Sequence, residues 1–310
     1  MKNSSQDEIV LSIVLLTYNH AKYIRKCLES IISQKTSFRF ELIIGDDASD
    51  DNTADIVLEY AALYSDLIIP VIRKQNVGAV KNLADLLKVA RGRYISGCEG
   101  DDYWTDEQKL EIQFNFLENH PEYIACSHDI IIIDENGSLC ENQKLNWITA
   151  KRHYQLKDYK GIMLPGHPVA LVFRNIFKND ENPNSLLDFH DSIADRTIVI
   201  MLAVRGNIYR INREMAAYRK HSTGGKNLTN SIYNDFNSYL IDYRLNEKIE
   251  KYIYKILNKK IIFSTFRWKL FFKSTIKTVL KFSDYSLKVY FLLFNLHIRW
   301  VIDKFNEEGL

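Results

Sequence analysis

The sequence lacks the features that define several large classes of protein. Its four cysteines are scattered along 310 residues and form no C-x-x-C pair, so neither a zinc site nor a disulfide framework is predicted. No run of about 18 uncharged apolar residues occurs, and the first residues hold no apolar stretch of the signal-peptide type. We therefore expect a cytoplasmic protein without a membrane-spanning helix.

Glycine-rich phosphate-binding motifs are absent as well. No G-x-G-x-x-G follows the first predicted strand, and G-x-x-x-x-G-K-[ST] occurs nowhere. A dinucleotide-binding fingerprint and a P-loop are thus excluded. If the protein binds a nucleoside diphosphate, a metal ion and side chains must hold it instead of a glycine-rich loop.

The first hundred residues contain an alternation of buried strands and amphipathic helices. The overall composition is that of a globular protein, with 46% hydrophobic and 26% charged residues. Continuous apolar runs, separated by helical periodicity, predict four strands at 9–17, 40–44, 67–72 and 94–98. This rhythm is typical of βαβ units, so the predicted fold class is α/β, with a Rossmann-like, mostly parallel sheet flanked by helices.

The pattern is less regular after residue 105, where region 138–168 is expected to be rich in loops. The other elements predicted there are a helix at 106–119, strands at 123–133 and 169–173, a helix at 193–204, and short strands at 207–211 and 216–219. Residues 231–306 contain neither Gly nor Pro and are predicted to be helical. We therefore divide the chain into a domain of residues 1–228 and a helical C-terminal region of residues 229–310.

Polar side chains follow three of the predicted strands at the point where each strand ends. They form three sets: Thr17 with Asn19, Asp46 with Asp47, and Asp101 with Asp102. The carboxyl ends of parallel strands meet at one edge of a sheet, so the three sets should share one crevice. Adjacent carboxylates repel unless a cation lies between them, and Mg2+ needs only one or two carboxylates beside a substrate's phosphates. A metal–nucleotide site is predicted, with a solvated turn as the alternative.

The chain resembles the family 2 glycosyltransferases, which have the GT-A nucleotide-sugar-binding fold. The matching stretches run from residue 9 to about residue 225 and follow one another in the family's order. They are SIVLLTYN at 12–19, FELIIGDDASDDNT at 40–53, NVG at 76–78, RGRYI at 91–95, EGDDYW at 99–104 and YRKH at 218–221. The resemblance implies a GT-A domain with a C-terminal helical extension.

The resemblance also implies a role for individual residues. It places seven of them on the donor: Thr17, Tyr18, Asn19, Asp47, Asn76, Lys81 and Asp101. Within this set, Asp47 is expected at the base, usually uracil, and Asp101 at the ribose. The family's metal ion, Mn2+ or Mg2+, is expected on Asp102, with His221 completing the metal or diphosphate site unless it is a surface histidine. Lys81 stands where the family often has Arg.

A catalytic base is expected before the apolar helix at 193–204. Inverting sugar transfer needs a carboxylate that takes the proton of the acceptor hydroxyl. The family's position aligns best with Asp195, and Asp191 and His190 are the alternatives, with Asp191 ahead of His190. Asp195 could instead only cap the helix, and the pair Asp195-Arg196 differs from the family's usual Asp-Trp or Glu-Asp.

Positive charge is concentrated at the C-terminal end. Residues 251–310 carry 12 basic and 4 acidic residues, a net charge of +8, whereas residues 1–250 carry 29 and 35, a net charge of −6. Within the predicted helical region, four lysines recur at every fourth position and form a basic stripe: Lys269, Lys273, Lys277 and Lys281. At about 100° per residue the opposite side is apolar, with Trp268, Phe271, Phe272, Val279 and Phe282. Region 260–305 is thus suited to an anionic membrane surface, unless the apolar side packs on the catalytic domain. No other feature supports a nucleic-acid partner.

Together with these patterns, the resemblance implies an inverting, metal-dependent glycosyltransferase. Its donor is expected to be a nucleotide sugar, usually a UDP-sugar, and its acceptor a saccharide or a lipid-linked saccharide. Lipopolysaccharide or capsule synthesis, at the inner face of the cell membrane, is the setting that the resemblance implies. Two alternatives stay open: a nucleotide-sugar-binding or scaffold protein of the same fold, and a receiver-like signalling module. The second leaves residues 101–104 and the basic region unexplained.

Overall fold

The computed structural model describes residues 8–221, 237–281 and 283–308. The chain divides into two compact units, Met1–Ser222 and Thr223–Leu310. The boundary predicted between residues 228 and 229 lies outside the described residues.

The first unit alternates strands and helices in its N-terminal half. That half consists of β1 (Ile9–Thr17), α1 (Ile24–Ile32), β2 (Arg39–Asp46), α2 (Thr53–Leu63), β3 (Ile68–Ile72), α3 (Ala79–Val89) and β4 (Tyr94–Glu99). The following elements are β5 (Tyr103–Trp104), α4 (Lys109–Asn119), β6 (Tyr123–Ile133), β7 (His153–Tyr154), β8 (Val172–Arg174), α5 (Asp195–Ala203) and β9 (Asn207–Arg219). Region 138–168 is rich in loops, as predicted, and holds only β7 and short 3-10 turns.

The nine strands described in this unit form one mixed sheet. Its order is β3-β2-β1-β4-β8-β6-β9-β5, and β7 pairs with β9. Strands β3, β2, β1 and β4 are parallel to one another, and β6 is parallel to β9. Strand β8 is antiparallel to both β4 and β6, and β5 and β7 are antiparallel to β9. The mostly parallel sheet predicted from the sequence is therefore found in the N-terminal half, and the other half is mixed.

Parallel pairing around β1 brings three strand ends to the same edge. Thr17 lies opposite Asp46 of β2, and Leu16 lies opposite Glu99 of β4. The core beneath this edge is formed by aliphatic residues of β1, β2 and α1. Burial of each such side chain contributes about 1.5–3 kcal/mol, which fixes the register of the strands and hence the positions of the polar residues that follow them.

The structure corrects three predicted strands. The short strands predicted at 207–211 and 216–219 are parts of β9, which continues through the exposed polar residues 212–214 with a register shift against β6. Backbone pairing continues there although the apolar pattern is interrupted. The strand predicted at 169–173 begins later, at Val172, because Pro168–Ala170 forms a 3-10 turn.

The second unit consists of helices α6 (Asn237–Leu257), α7 (Ser264–Leu280) and α8 (Asp284–Glu308). Its apolar core contains Tyr243, Leu270 and Leu293. The buried guanidinium of Arg267 forms an ion pair of 2.6 Å with Glu250, which joins α7 to α6. Across the described residues, every helix is too short or too polar to cross a lipid bilayer.

Candidate active site

The loops that follow β1, β2 and β4 are packed against one another. The Thr17 carbonyl accepts a hydrogen bond from the Asp47 amide (3.0 Å), and the Leu16 carbonyl accepts one from Gly100 (2.9 Å). A Cβ atom at Gly100 would lie 2.6 Å from Thr17 Oγ1 and 2.9 Å from His20 Nδ1, so only glycine fits there. The structure thus brings the three polar sets together at one crevice.

Asn19 connects the loop after β1 to the loop after β2. Its amide donates to Ser49 Oγ (2.9 Å), and its side-chain oxygen accepts from the Asp50 amide (2.8 Å). Ser49 Oγ in turn donates to Asp46 Oδ1 (2.6 Å). Asn19 has φ +57°, a conformation that Asn tolerates better than most residues. Asn19 and Asp46 therefore shape the loop, and the adjacent Tyr18 side chain is 41% exposed.

Asp47 holds the turn that starts α3. Its two carboxylate oxygens accept hydrogen bonds from the amides of Val77 (2.8 Å) and Gly78 (2.9 Å). The Asn76 side chain also accepts from the Gly78 amide (3.1 Å). Each carboxylate oxygen has two lone pairs, so Asp47 keeps acceptor capacity for a base edge while it fixes this turn.

Lys81 is engaged with Asp85 on the same helix. Its Nζ lies 2.5 Å from Asp85 Oδ2, and Lys88 lies 2.9 Å from Oδ1. Partial burial acts in the opposite direction, but the hydrogen bonds from Lys81 and Lys88 lower the pKa of Asp85 to about 2. The ammonium group of Lys81 would have to leave this pair, or share it, in order to contact a diphosphate.

Two histidines flank the buried carboxylate of Asp101. Asp101 Oδ2 lies 2.9 Å from His221 Nε2 and 3.8 Å from His20 Nε2. Burial opposes ionisation, but the hydrogen bond from His221 and the charge of His20 lower the pKa of Asp101. His221 therefore lies in the crevice, beside the first carboxylate of the acidic pair.

Asp102 is buried with one oxygen engaged and the other unpartnered. Its Oδ1 accepts a hydrogen bond from the Arg219 amide (2.8 Å), whereas Oδ2 has no hydrogen-bond partner among the described residues. Burial and the charges of Asp101 and Glu99 raise the pKa of Asp102 well above its ordinary value. A buried carboxylate oxygen without a partner costs about 1–3 kcal/mol, and a bound cation would remove that cost.

Arg219 positions the acidic pair, a role that pattern reasoning missed although the residue belongs to the Y-R-x-H stretch. Its guanidinium donates to the carbonyls of Asp101 (2.9 Å) and Asp134 (2.9 Å) and lies 4.3 Å above the ring of Tyr23. Because its own amide also binds Asp102, this residue holds the turn after β4 by both backbone and side chain.

Glu99, like Arg219, is a residue of this site that the sequence patterns do not single out. Desolvation by the surrounding residues, followed by the charges of Asp101 and Asp195, raises the pKa of Glu99 to about 8. The side chain is nevertheless exposed, and contact with water weakens the first of these effects. The charge of Asp195 is one of the causes of this shift, so the carboxylates of Asp195 and Glu99 interact electrostatically.

The two candidate bases differ in their surroundings. Asp195 is the first residue of α5, its Oδ1 accepts from the Arg196 amide (2.7 Å), and the capping position itself belongs to Ala194. The Asp191 side chain is 86% exposed and pairs with His190 Nδ1 (3.0 Å). Asp195 is thus coupled to the acidic crevice, whereas Asp191 points its carboxylate to solvent.

Comparison with known proteins identifies the family. A model of the family described as glycosyl transferase family 2 matches residues 12–180, which is more than half of the chain. The chain belongs to glycosyl transferase family 2. In this family-2 chain the matched region contains the strand-end residues Thr17, Asp47, Asp101 and Asp102, but it ends before Asp195 and His221.

Two relatives illustrate the extent of sequence similarity. An uncharacterized protein of Mycobacterium tuberculosis is 36% identical over 234 residues, which are 73% of this chain and 62% of that protein. The minor teichoic acid biosynthesis protein GgaB of Bacillus subtilis is 26% identical over 292 residues, 89% of this chain and 31% of GgaB. The family-2 chain therefore spans less than two thirds of the length of these relatives.

A solved structure shows the same fold. S. aureus TarS 1–349, in complex with UDP-GlcNAc, matches with a TM-score of 0.66 and 17% identity over 92% of this chain and 79% of that one. At this level of identity the likeness establishes the fold, which is the GT-A fold of nucleotide-sugar-dependent glycosyltransferases. The α/β class and the family predicted from the sequence are confirmed.

The acidic turn of this family-2 chain fits a divalent cation. No group of three or more His, Cys, Asp and Glu side chains with metal-binding geometry occurs in the described ranges. Mg2+ sites of nucleotide-binding enzymes, however, often use one or two carboxylates together with substrate phosphates. The buried, unpartnered Oδ2 of Asp102 is an oxygen ligand of that kind.

Proposed function

We propose that this chain transfers a sugar, with inversion, from a UDP-sugar to a hydroxyl group of a saccharide or lipid-linked acceptor. The observation that carries the proposal is the buried Asp102 carboxylate, which has one oxygen without a hydrogen-bond partner among the described residues and lies where strand ends of a family 2 domain meet. The UDP-GlcNAc bound to TarS supports a UDP-sugar donor. The name of GgaB supports synthesis of a cell-surface polymer as the setting. We therefore add teichoic acid-like polymers to lipopolysaccharide and capsule as candidate products of the pathway.

The donor would lie along the strand ends. Thr17, Tyr18, Asn19 and the turn at Asn76 surround the nucleoside, with Asp47 at the base and Asp101 at the ribose. Asp102 holds Mn2+ or Mg2+, with His221 at the diphosphate side, and Lys81 adds a positive charge nearby. When bound, the ion supplies positive charge that stabilises the departing diphosphate.

Asp195 would act as the base. Its carboxylate takes the proton of the acceptor hydroxyl while the hydroxyl oxygen forms a bond to the anomeric carbon. The bond between that carbon and the diphosphate oxygen breaks at the same time, and the electron pair leaves with UDP. Attack from the face opposite to the leaving group inverts the anomeric configuration.

We further propose that α7 attaches the chain to an anionic membrane surface. Five of its apolar side chains are between 41% and 77% exposed: Trp268, Phe272, Ile276, Val279 and Leu280. The buried side of the same helix carries Arg267, Leu270, Ser274 and Thr278, so these five apolar side chains lie outside the core that contains Leu270. Exposed Lys269 and Lys273 flank the apolar side, which is the arrangement of an interfacial helix. Phe282 of the predicted aromatic side lies outside the described residues.

The donor site is tested by calorimetric titration of the full chain with UDP, with and without Mn2+. We expect Mn2+ to strengthen binding and Asp102→Asn to weaken the metal-dependent binding by at least about 100-fold, since it removes the ligand charge. Asp55→Asn, at an exposed position of α2, is the matched control and should bind like the wild type. UDP release from UDP-sugars then separates an enzyme from a scaffold, because a scaffold would bind donor without releasing UDP.

A further inference from the structure

His167 lies beside Asp102 but belongs to no strand-end motif. It precedes the 3-10 turn Pro168–Ala170, and its side chain is buried. The ring is held by two aromatic neighbours, with centroid distances of 4.2 Å to Tyr218 and 5.7 Å to Trp147. The preceding Gly166 allows this approach, because a Cβ atom there would lie 2.8 Å from Cβ of Ser127. The position of the imidazole is therefore fixed by packing.

The Nδ1 atom of the buried imidazole accepts from the Val169 amide, so this nitrogen carries a lone pair and no proton. Neutral imidazole is the form that binds divalent metals. Its Nδ1 accepts only a long contact from the Val169 amide, 3.4 Å, so little hydrogen-bond energy is lost if that lone pair takes another partner.

The distance between His167 and Asp102 is informative. Nδ1 of His167 lies 4.0 Å from Oδ2 of Asp102, the oxygen that has no hydrogen-bond partner in the described part of the chain. This separation is too long for a hydrogen bond. It is slightly shorter than two metal–ligand bonds of about 2.1 Å placed end to end, so one ion can contact both atoms.

We propose that His167 is a second protein ligand, with Asp102, of the divalent ion at the donor diphosphate. The inference rests on the metal-dependent function proposed above and adds a ligand from the loop before β8. His221 is the competing histidine, but its Nε2 is engaged with Asp101 Oδ2 at 2.9 Å. An imidazole ligand is expected to favour Mn2+ over Mg2+, because Mg2+ is the smaller and harder ion and gives up its oxygen ligands more reluctantly.

Pulsed electron paramagnetic resonance of the full chain with Mn2+ and UDP tests the ligand directly. A coordinated imidazole nitrogen gives a hyperfine coupling to Mn2+, and this signal does not depend on turnover. The sample set is the wild type, His167→Gln, His221→Gln and the double variant, with thermal melting used to confirm that each is folded. We expect the nitrogen coupling to persist in His221→Gln and to be absent from the double variant.

Metal affinity gives a second measure. His167→Gln should weaken Mn2+ binding in the presence of UDP by at least about tenfold and Mg2+ binding by less than about threefold. Equal losses for both ions, or loss of the nitrogen coupling in His221→Gln alone, would overturn the assignment while leaving the donor site intact. Absence of any Mn2+–UDP complex in the wild type would instead overturn the metal-dependent function on which the assignment rests.

Discussion

The backbone amide of Arg219 donates a 2.8 Å hydrogen bond to Oδ1 of Asp102. This bond joins the end of β9 to the turn after β4, two segments that are distant in the sequence. It engages one oxygen of the carboxylate and leaves the buried Oδ2 without a hydrogen-bond partner among the described residues. The half-satisfied carboxylate is the physical reason to expect a cation there, since a neutral neighbour would leave the charge uncompensated.

Arg219→Lys should disturb the acidic turn although it keeps the positive charge. Lysine cannot reproduce the two hydrogen bonds to the carbonyls of Asp101 and Asp134 together with the contact to the Tyr23 ring. We expect the free energy of unfolding to fall by about 1–3 kcal/mol and UDP binding to weaken with it. Chemical denaturation and calorimetry measure the two effects. Arg213→Lys, at a half-exposed ion pair with Asp106, is the control, and an equal loss there would contradict the specific role of Arg219.

Replacement of the two candidate bases separates their roles. Asp195→Asn should lower the turnover number by at least about 100-fold with little change in UDP affinity, because the base acts on the acceptor and not on the donor. Asp191→Asn should retain turnover within a few-fold, as its carboxylate is exposed and paired with His190. UDP release and calorimetry on both variants supply the measurements. The opposite ranking of the two variants would assign the base to Asp191.

Local patterns predict those parts of the fold that depend on continuous apolar runs. Strands β1 and β6 begin and end where the sequence predicts, because each is a mostly apolar run bounded by polar or turn residues, although Ser12 interrupts β1 and residues 127–129 interrupt β6. Convergence of the strand-end residues followed from parallel topology alone, and the structure shows it at Thr17, Asp47 and Gly100.

Local sequence patterns could not predict the contacts between segments that are distant in the sequence. The partners of Arg219 lie in the turn after β4 and beyond β6, and His167 reaches Asp102 from a loop that has no periodicity. The two-residue strand β5 is too short to show a pattern and is defined only by its pairing with β9. In each case the decisive information is a three-dimensional neighbour.

The exposed apolar side of α7 predicts binding to anionic vesicles. Phe272→Asp combined with Ile276→Asp places two negative charges at the centre of that side, so we expect vesicle binding of the full chain to fall at least about tenfold. Co-sedimentation with vesicles that contain anionic lipid measures the change, and uncharged vesicles show the electrostatic part. Leu63→Asp, at a position of α2 that is 69% exposed, is the control. Unchanged sedimentation of the double variant would mean that α7 is not the membrane contact.

Lys109 gives the first unit a pH dependence that is separate from catalysis. The residue is completely buried, with Nζ 4.1 Å from the centre of the Trp104 ring and 3.4 Å from Ser96 Oγ. Burial lowers the pKa of Lys109 from 10.5 to about 7, against the opposing effect of Cys98 and Cys126. Between these two pKa values the unfolded chain binds a proton that the folded chain does not, so this residue makes the free energy of unfolding rise with pH.

Lys109→Met should remove that dependence and stabilise the protein near pH 7, where the buried amine is partly charged. As the pH rises from 7 to 8.5, the stability advantage of the variant over the wild type should shrink by up to about 1.4 kcal/mol per pH unit. Glu99 acts in the opposite direction, because its raised pKa of about 8 makes the free energy of unfolding fall as the pH rises toward that value. This contribution is the same in both proteins, so it cancels in the difference between their free energies of unfolding. Denaturation midpoints across this range supply the measurement, with exposed Lys178→Met as the control. A constant difference between Lys109→Met and the wild type would show that Lys109 keeps its proton in the folded state, with its charge stabilised by the Trp104 ring.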